Sequence, residues 1–340
     1  MDNESMLKDK VEQIQPKISL LLEKLNNVLL DKASLIDDLA TGVLAGGHVL
    51  LEGLPGLGKT ELVKGFARLC RMEFRRVQFT PDLLPSDITG SFILQEQDQC
   101  RRFVFQKGPV FTNILLGDEI NRASPKTQSA LLESMQERAV TVMGETFPLP
   151  HPFFVIATQN PIELEGTYPL PEAQVDRFLF KLHLKRPKES VLTDIVRTRI
   201  QGAPPLQDPV MDLEDLRNAI HGTQEIFISE AVASYISRLV EASHPDSASA
   251  PELVKKYVRY GGSPRAGIAL GSAAKAKALI LGRVQAGFDS VKELFPAVMN
   301  HRLILDYSAR IDGVTVDQVM EAILSHVEEY SKSLPSGVKE

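Results

Sequence analysis

Apolar residues at Leu7, Val11, Ile14, Ile18, Leu21, Leu25 and Val28 recur at the spacing of an amphipathic helix, with Pro16 expected to kink or split it. A second helical stripe, Leu35, Ile36, Leu39, Ala40 and Val43, runs up to a stop at Gly46 and Gly47. The period then changes. Short runs rich in Val, Ile, Leu and Phe occupy 48–52, 74–80, 113–120, 153–160 and 178–184, with helical segments between them. Runs of this kind predict strands buried on both faces, hence an α/β domain built on a parallel sheet. At 200–210 the chain turns to QGAPPLQDP, whose prolines cannot continue a helix, and a domain boundary is expected there. Beyond it the patterns are almost entirely helical, at 213–220, 229–242, 266–286, 291–303 and 316–330, with a surface loop at 243–251. The expected organisation is N-terminal helices over 1–46 packing on a core of 47–204, a small all-α domain over 205–332 and a frayed tail over 333–340.

Composition narrows the class. The 340 residues are 43% hydrophobic, enough for two buried cores. With 38 basic against 44 acidic residues the net charge is −6, which argues against a nucleic-acid binder relying on a global basic field. Cys70 and Cys100 form neither a CxxC pair nor a disulfide framework, and the seven histidines show no ligand spacing. The charged N-terminus is unlike a secretory signal, and no apolar stretch approaches the roughly 18 residues of a membrane span. A soluble cytoplasmic protein is expected.

The chemistry begins at GLPGLGKT, which follows the first apolar strand and opens the helical pattern ELVKGFARL. Strand, Gly-rich loop and helix in that order form a phosphate cradle: glycines let the backbone N–H groups turn inward, and the helix dipole favours the same anion. The nucleotide is expected on Gly53, Pro55, Gly56, Leu57, Gly58, Lys59, Thr60 and Glu61, with Lys59 reaching the β- and γ-phosphates and the Thr60 hydroxyl ligating Mg²⁺. The strand NILLGDE delivers Asp118 and Glu119 at its C-terminal end, the edge where open α/β sheets bind ligands. Asp118 suits a cation held through water, and Glu119 suits activation of the attacking water. Asn160 ends a third strand at the same edge. Arg177, in GTYPLPEAQVDRF, precedes the last strand and suits a finger on the transition-state charge, the alternative being a surface ion pair with Asp176 or Glu172. In GGSPRAG, Ser263 reads as an N-cap and Pro264 as the first helical residue, so Arg265 opposes its own helix dipole and invites an anion, unless a nearby acid tethers it.

The order GLPGLGKT, LLGDEINRASPKTQSALLESMQE, ATQNP, LPEAQVDRF and GGSPRA resembles an AAA+ ATPase of the MoxR branch, over nearly the whole chain. The resemblance implies a P-loop NTPase core with a five-stranded parallel sheet, a helical lid, and ATP with Mg²⁺ as cofactors. It makes Lys59 and Thr60 the Walker A residues, Asp118 and Glu119 Walker B, Asn160 sensor 1, Arg177 a finger acting on a neighbouring subunit and Arg265 sensor 2. A ring, usually hexameric, and chaperone-like remodelling of protein clients are implied, often alongside von Willebrand factor A domain partners. Two inserts are expected to carry recognition: PDLLPSDITGS at 81–91, whose apolar residues otherwise pack on the sheet, and RAVTVMGETFPLP at 138–150, which alternates around Gly144 as a β-hairpin does. A nucleotide-gated adaptor with slow hydrolysis needs the same site. A DNA-acting relative is disfavoured by the acidic balance, and a GTPase by the lack of an NKxD segment.

Overall fold

The computed structural model describes residues 3–97, 100–161, 167–198 and 207–330. Most of the expected proline-rich junction, the tail after Tyr330 and Gly166 of GTYPLPEAQ lie outside the described residues. The chain opens with helices α1 (Asn3–Val28) and α2 (Ala33–Leu44), then strand β1 (Val49–Glu52), helix α3 (Lys59–Leu69) and strand β2 (Phe74–Gln78). A short helix α4 (Pro85–Thr89) leads into hairpin β3 (Gly90–Gln97) and β4 (Cys100–Lys107), followed by β5 (Ile114–Asp118) and α5 (Pro125–Glu137). A second hairpin, β6 (Ala139–Val142) and β7 (Glu145–Pro148), precedes β8 (Phe154–Gln159), α6 (Glu172–Val175), β9 (Phe180–His183) and α7 (Glu189–Thr198). The remainder is α8 (Leu213–Glu225), α9 (Glu230–Glu241), α10 (Glu252–Tyr257), β10 (Val258–Tyr260), α11 (Pro264–Ile280), α12 (Phe288–Met299), β11 (Ile304–Leu305), α13 (Tyr307–Ile311) and α14 (Val316–His326).

Two compact units result, one from Gln13–His221 and the other from the described residues of Met1–Glu12 and Gly222–Glu340. In the first, five strands form one parallel sheet in the order β2-β5-β8-β1-β9. Alternate residues explain why its strands read as unbroken apolar runs. Leu50, Leu115, Val155 and Ala157 pack with Leu131, Leu132 and Met135 of α5, while Val49 and Phe180 on the other face lie against α2 at Gly42. Gly117 interrupts the apolar run of β5 because the buried Phe79 ring fills its place: a Cβ there would sit 3.2 Å from that ring. In the second unit α9, α11, α12 and α14 bury Tyr235, Leu270, Phe295 and Ile323, and β10 pairs with β11 as a small antiparallel addition that the helical periodicity does not reveal.

Three sequence expectations change. Pro16 does not split its helix, since α1 runs unbroken through it with the proline on an exposed position. The segment at 81–91 forms α4 and the start of a hairpin that the sequence reading missed. Of its apolar residues Ile88 is buried and Leu83 packs on the core, leaving only Leu84 exposed. The alternation at 138–150 does give a hairpin, turning at Met143 (φ 52°) and Gly144 (φ 84°), the pair of left-handed residues a two-residue turn requires. The two hairpins meet: the Phe105 and Phe147 rings stack with centroids 4.1 Å apart, and Phe92 lies against both.

His48, at the foot of β1, ties three elements together. Val155 N donates to His48 Nδ1 at 2.9 Å, so the ring's proton resides on Nε2, which donates to Met135 O at 3.1 Å. Burial pushes its pKa down to about 4, from the ordinary imidazole value of 6.5. The unfolded chain therefore binds a proton that the folded one refuses. Stability is expected to fall by about 3 kcal/mol as pH drops from about 6.5 to about 4, and no further below that from this group. Denaturant titrations across that range should show this slope, and His48→Gln should flatten it while being less stable at pH 7.

Candidate active site

The loop between β1 and α3 is shaped by backbone that other residues resist. Gly56 (φ 81°) and Gly58 (φ 87°) are left-handed, and Gly58 is the residue on which α3 begins. A Cβ on Gly53 would stand 2.8 Å from Leu184 Cβ, and one on Gly58 would stand 2.7 Å from Leu29. The loop is thus clasped between the end of α1 and the residue after β9. Lys59, the first residue of α3, is only 8% exposed and folds back to donate from Nζ to Gly53 O at 2.6 Å. Burial lowers its pKa, opposed by the charges of Asp118, Glu119 and Glu52. Those three carboxylates accordingly lie within electrostatic reach of the ammonium. Glu52 itself is paired with Lys181 at 2.5 Å. Nearby, an open pocket of about 550 Å³ is lined by Asn26, Asp31, Lys32, Leu35, Leu182 and His183, from the α1–α2 junction and the end of β9.

Strand order sets the rest. β8 lies between β1 and β5, pairing Gln159 with Glu52 and Ala157 with Gly117. Asn160, 5% exposed, therefore emerges between the phosphate loop and Asp118. Thr158, which the sequence reading passed over, binds both acids: its hydroxyl donates to Asp118 Oδ1 at 2.5 Å and accepts from Glu119 N at 2.9 Å. Glu119 leaves the strand in the left-handed region (φ 57°, ψ 52°), which turns its side chain out of the pleat. For a residue with a Cβ that conformation costs about 1 kcal/mol or more, a strain typical of functional positions.

Further residues absent from the sequence reading hold these acids. Arg76 Nη2 donates to Asp118 Oδ2 at 2.6 Å, Gln78 Nε2 to Glu119 Oε2 at 2.9 Å, and Arg122 Nη1 to the same Oε2 at 3.0 Å. The fully buried Gln128 donates to the carbonyls of Ile120, Ala123 and Tyr168, joining the turn after Glu119 to the segment that leads to Arg177.

Lys59, Thr60, Asp118, Glu119 and Asn160 are thus gathered at the C-terminal edge of one sheet. Arg177 is not among them. It precedes β9, whose parallel pairing sets Phe180 beside Val49, and its Nη1 donates to Leu132 O at 3.0 Å on α5. Arg265 is the exposed second residue of α11 in the other compact unit, behind Ser263 at the N-cap and Pro264 at the first helical position. No helix among the described residues is long and apolar enough to cross a membrane.

A buried lysine on a left-handed glycine loop, with two acids at the end of the strand one place removed, defines a P-loop nucleotide hydrolase. Comparison with known proteins agrees. The model of the ATPase family associated with various cellular activities (AAA) matches residues 48–180, and that of the AAA lid domain matches residues 250–323. Chaperone MoxR1 of Mycobacterium tuberculosis is 42% identical over 304 residues, covering 89% of this chain and 80% of that protein. Protein MoxR of Methylorubrum extorquens is 31% identical over 284 residues, covering 79% of this chain and 82% of that protein. A crystal structure of a protein from Cytophaga hutchinsonii superposes with a TM-score of 0.89 at 39% identity, covering 96% of this chain and 99% of the other. The chain belongs to the MoxR family of AAA+ ATPases. It is an ATP hydrolase with the family's α/β core and helical lid domain.

Proposed function

We propose that the chain uses Mg²⁺-dependent ATP hydrolysis to drive chaperone-like remodelling or maturation of protein targets, as a cytoplasmic ring, usually hexameric, whose active sites are shared between subunits. The observation that carries the sharing is the separation of Arg177 from Lys59, Thr60, Asp118, Glu119 and Asn160. They stand at the C-terminal edge of the sheet, whereas Arg177 precedes the N-terminal end of β9, a four-residue strand about 13 Å long. A guanidinium so placed serves the nucleotide of a neighbour better than its own.

The donor set fits the cofactors. The loop residues Gly53, Pro55, Gly56, Leu57 and Gly58, with Lys59, Thr60 and Glu61, cradle the phosphates, and the open pocket beside β9 receives the base. A Thr hydroxyl and an Asp carboxylate are the few hard oxygen ligands that Mg²⁺ takes when phosphates supply the rest. The bound cation neutralises charge developing on the phosphates. Glu119 takes the proton of the attacking water, Asn160 orients that water against the γ-phosphate, and Arg177 of the adjoining subunit and Arg265 of the lid domain, 205–332, meet the transition-state charge. The hairpin at 139–148 carries an exposed Met143 at its tip, and β3–β4 exposes Leu94 and Phe103 (71%) as a cross-strand pair. These hairpins grip the client, a protein substrate or a von Willebrand factor A domain partner.

Mixing tests the shared site. Arg177→Ala and Lys59→Ala proteins are each expected to be inactive, but an equimolar mixture should regain about one working site in four by random assembly around a closed ring. No recovery of ATPase activity at any ratio would remove the support for Arg177 acting in trans.

A further inference from the structure

The edge strand β2 carries two polar side chains that the roles above leave unused, and both engage the catalytic acids. Register sets Gln78 directly beside Asp118 and Arg76 beside Leu116. From there Arg76 takes a single oxygen of Asp118, Oδ2, with two nitrogens: Nη2 at 2.6 Å and Nε at 3.2 Å. The other oxygen, Oδ1, accepts from Thr158. Both oxygens of the carboxylate assigned to the cation are therefore taken by donors, one of them a full positive charge.

The same guanidinium also fixes Gln78. Arg76 Nη2 donates to Gln78 Oε1 at 2.9 Å. Since an arginine offers donors only, the amide must turn its oxygen toward Arg76 and its NH₂ toward Glu119, where Nε2 meets Oε2 at 2.9 Å. Arg122 adds a second donor to that oxygen at 3.0 Å. One cation thus sets the hydrogen-bonding state of both acids, directly at Asp118 and through an oriented amide at Glu119.

We propose that Arg76 is an internal counter-cation for Asp118, occupying a carboxylate that would otherwise be free to hold a hydrated Mg²⁺, and that it withdraws on metal loading. The proposal rests on the assignment of Asp118 to the metal and Glu119 to the water. Arg76 is a positioning residue and touches no reacting atom. Its side chain is 46% exposed against 14% for Asp118, so it has solvent to retreat into while the carboxylate stays in place.

The test is a Mg²⁺ titration of a fluorescent N-methylanthraniloyl-ADP bound to the full chain. Arg76→Ala should lower the Mg²⁺ concentration for half-maximal nucleotide binding about three- to tenfold, because a positive charge competing for the carboxylate is gone. Nucleotide affinity at saturating Mg²⁺ should not change. The neutral variant Arg76→Gln should do the same, guarding against a folding defect in either protein, with circular dichroism as the check. An unchanged or raised Mg²⁺ requirement in a folded variant overturns the proposal. Asp118→Asn separates the two levels: if it keeps the normal Mg²⁺ requirement, the metal assignment fails whatever Arg76 does.

Discussion

Glu119→Gln is expected to bind ATP with affinity within about threefold of the parent while its kcat falls about a thousandfold, a loss of ~4 kcal/mol of transition-state stabilisation. The substitution is nearly isosteric. Glutamine keeps an oxygen that can still accept from Gln78 and Arg122, and it has no β-branch to oppose the left-handed backbone at this position. What disappears is the capacity to take a proton. Phosphate release under single-turnover conditions, beside a binding titration, separates the two quantities. Undiminished turnover would remove Glu119 from the chemistry and return the role of base to another group.

Lys59→Met should act in the opposite sense, weakening nucleotide binding about a hundredfold or more while leaving the empty protein close to its original stability. The ammonium is buried, and desolvation is the largest influence on its pKa, so the unliganded fold gains little from its charge. Its bond to Gly53 O contributes about 1 kcal/mol, and removing an ion from a buried position offsets part of that loss. The polyphosphate has no such compensation, because a charge-assisted contact to a phosphate oxygen is worth far more than a neutral one. A nucleotide titration alongside a thermal melt decides the matter. A collapse in Tm with binding retained would make Lys59 a strut of the loop rather than a ligand-binding group.

The parts of this site that sequence made legible are those whose chemistry is local. GLPGLGKT needs only consecutive residues to form a cradle, and Asp118 and Glu119 announce themselves by ending an apolar run. Alternation about Gly144 gave the second hairpin because a two-residue turn has its own residue requirements. The network around the acids follows different rules. Arg76 and Gln78 read as solvated positions on a strand; their partners lie forty residues on and become neighbours only because β2 pairs with β5. Thr158 passes for a strand-forming residue, and its role depends on β8 being inserted next to β5. The hairpin of β3 and β4 was invisible for another reason. It carries apolar residues on both faces, Phe92, Leu94, Phe103 and Phe105 on one and Ile93 and Val104 on the other, so neither period stands out.

The stacked rings of Phe105 and Phe147 join two loops that the chain makes about forty residues apart. Both rings also pack on the buried cluster beneath the sheet, so the contact is a pivot with two arms, not a decoration on either. A load applied at Met143 reaches the root of the longer arm without passing through the backbone between them. Anyone grafting a new tip onto one hairpin inherits the other: a swap that preserves Phe147 leaves Leu94 and Phe103 where they are, and one that trims the ring slackens both arms at once.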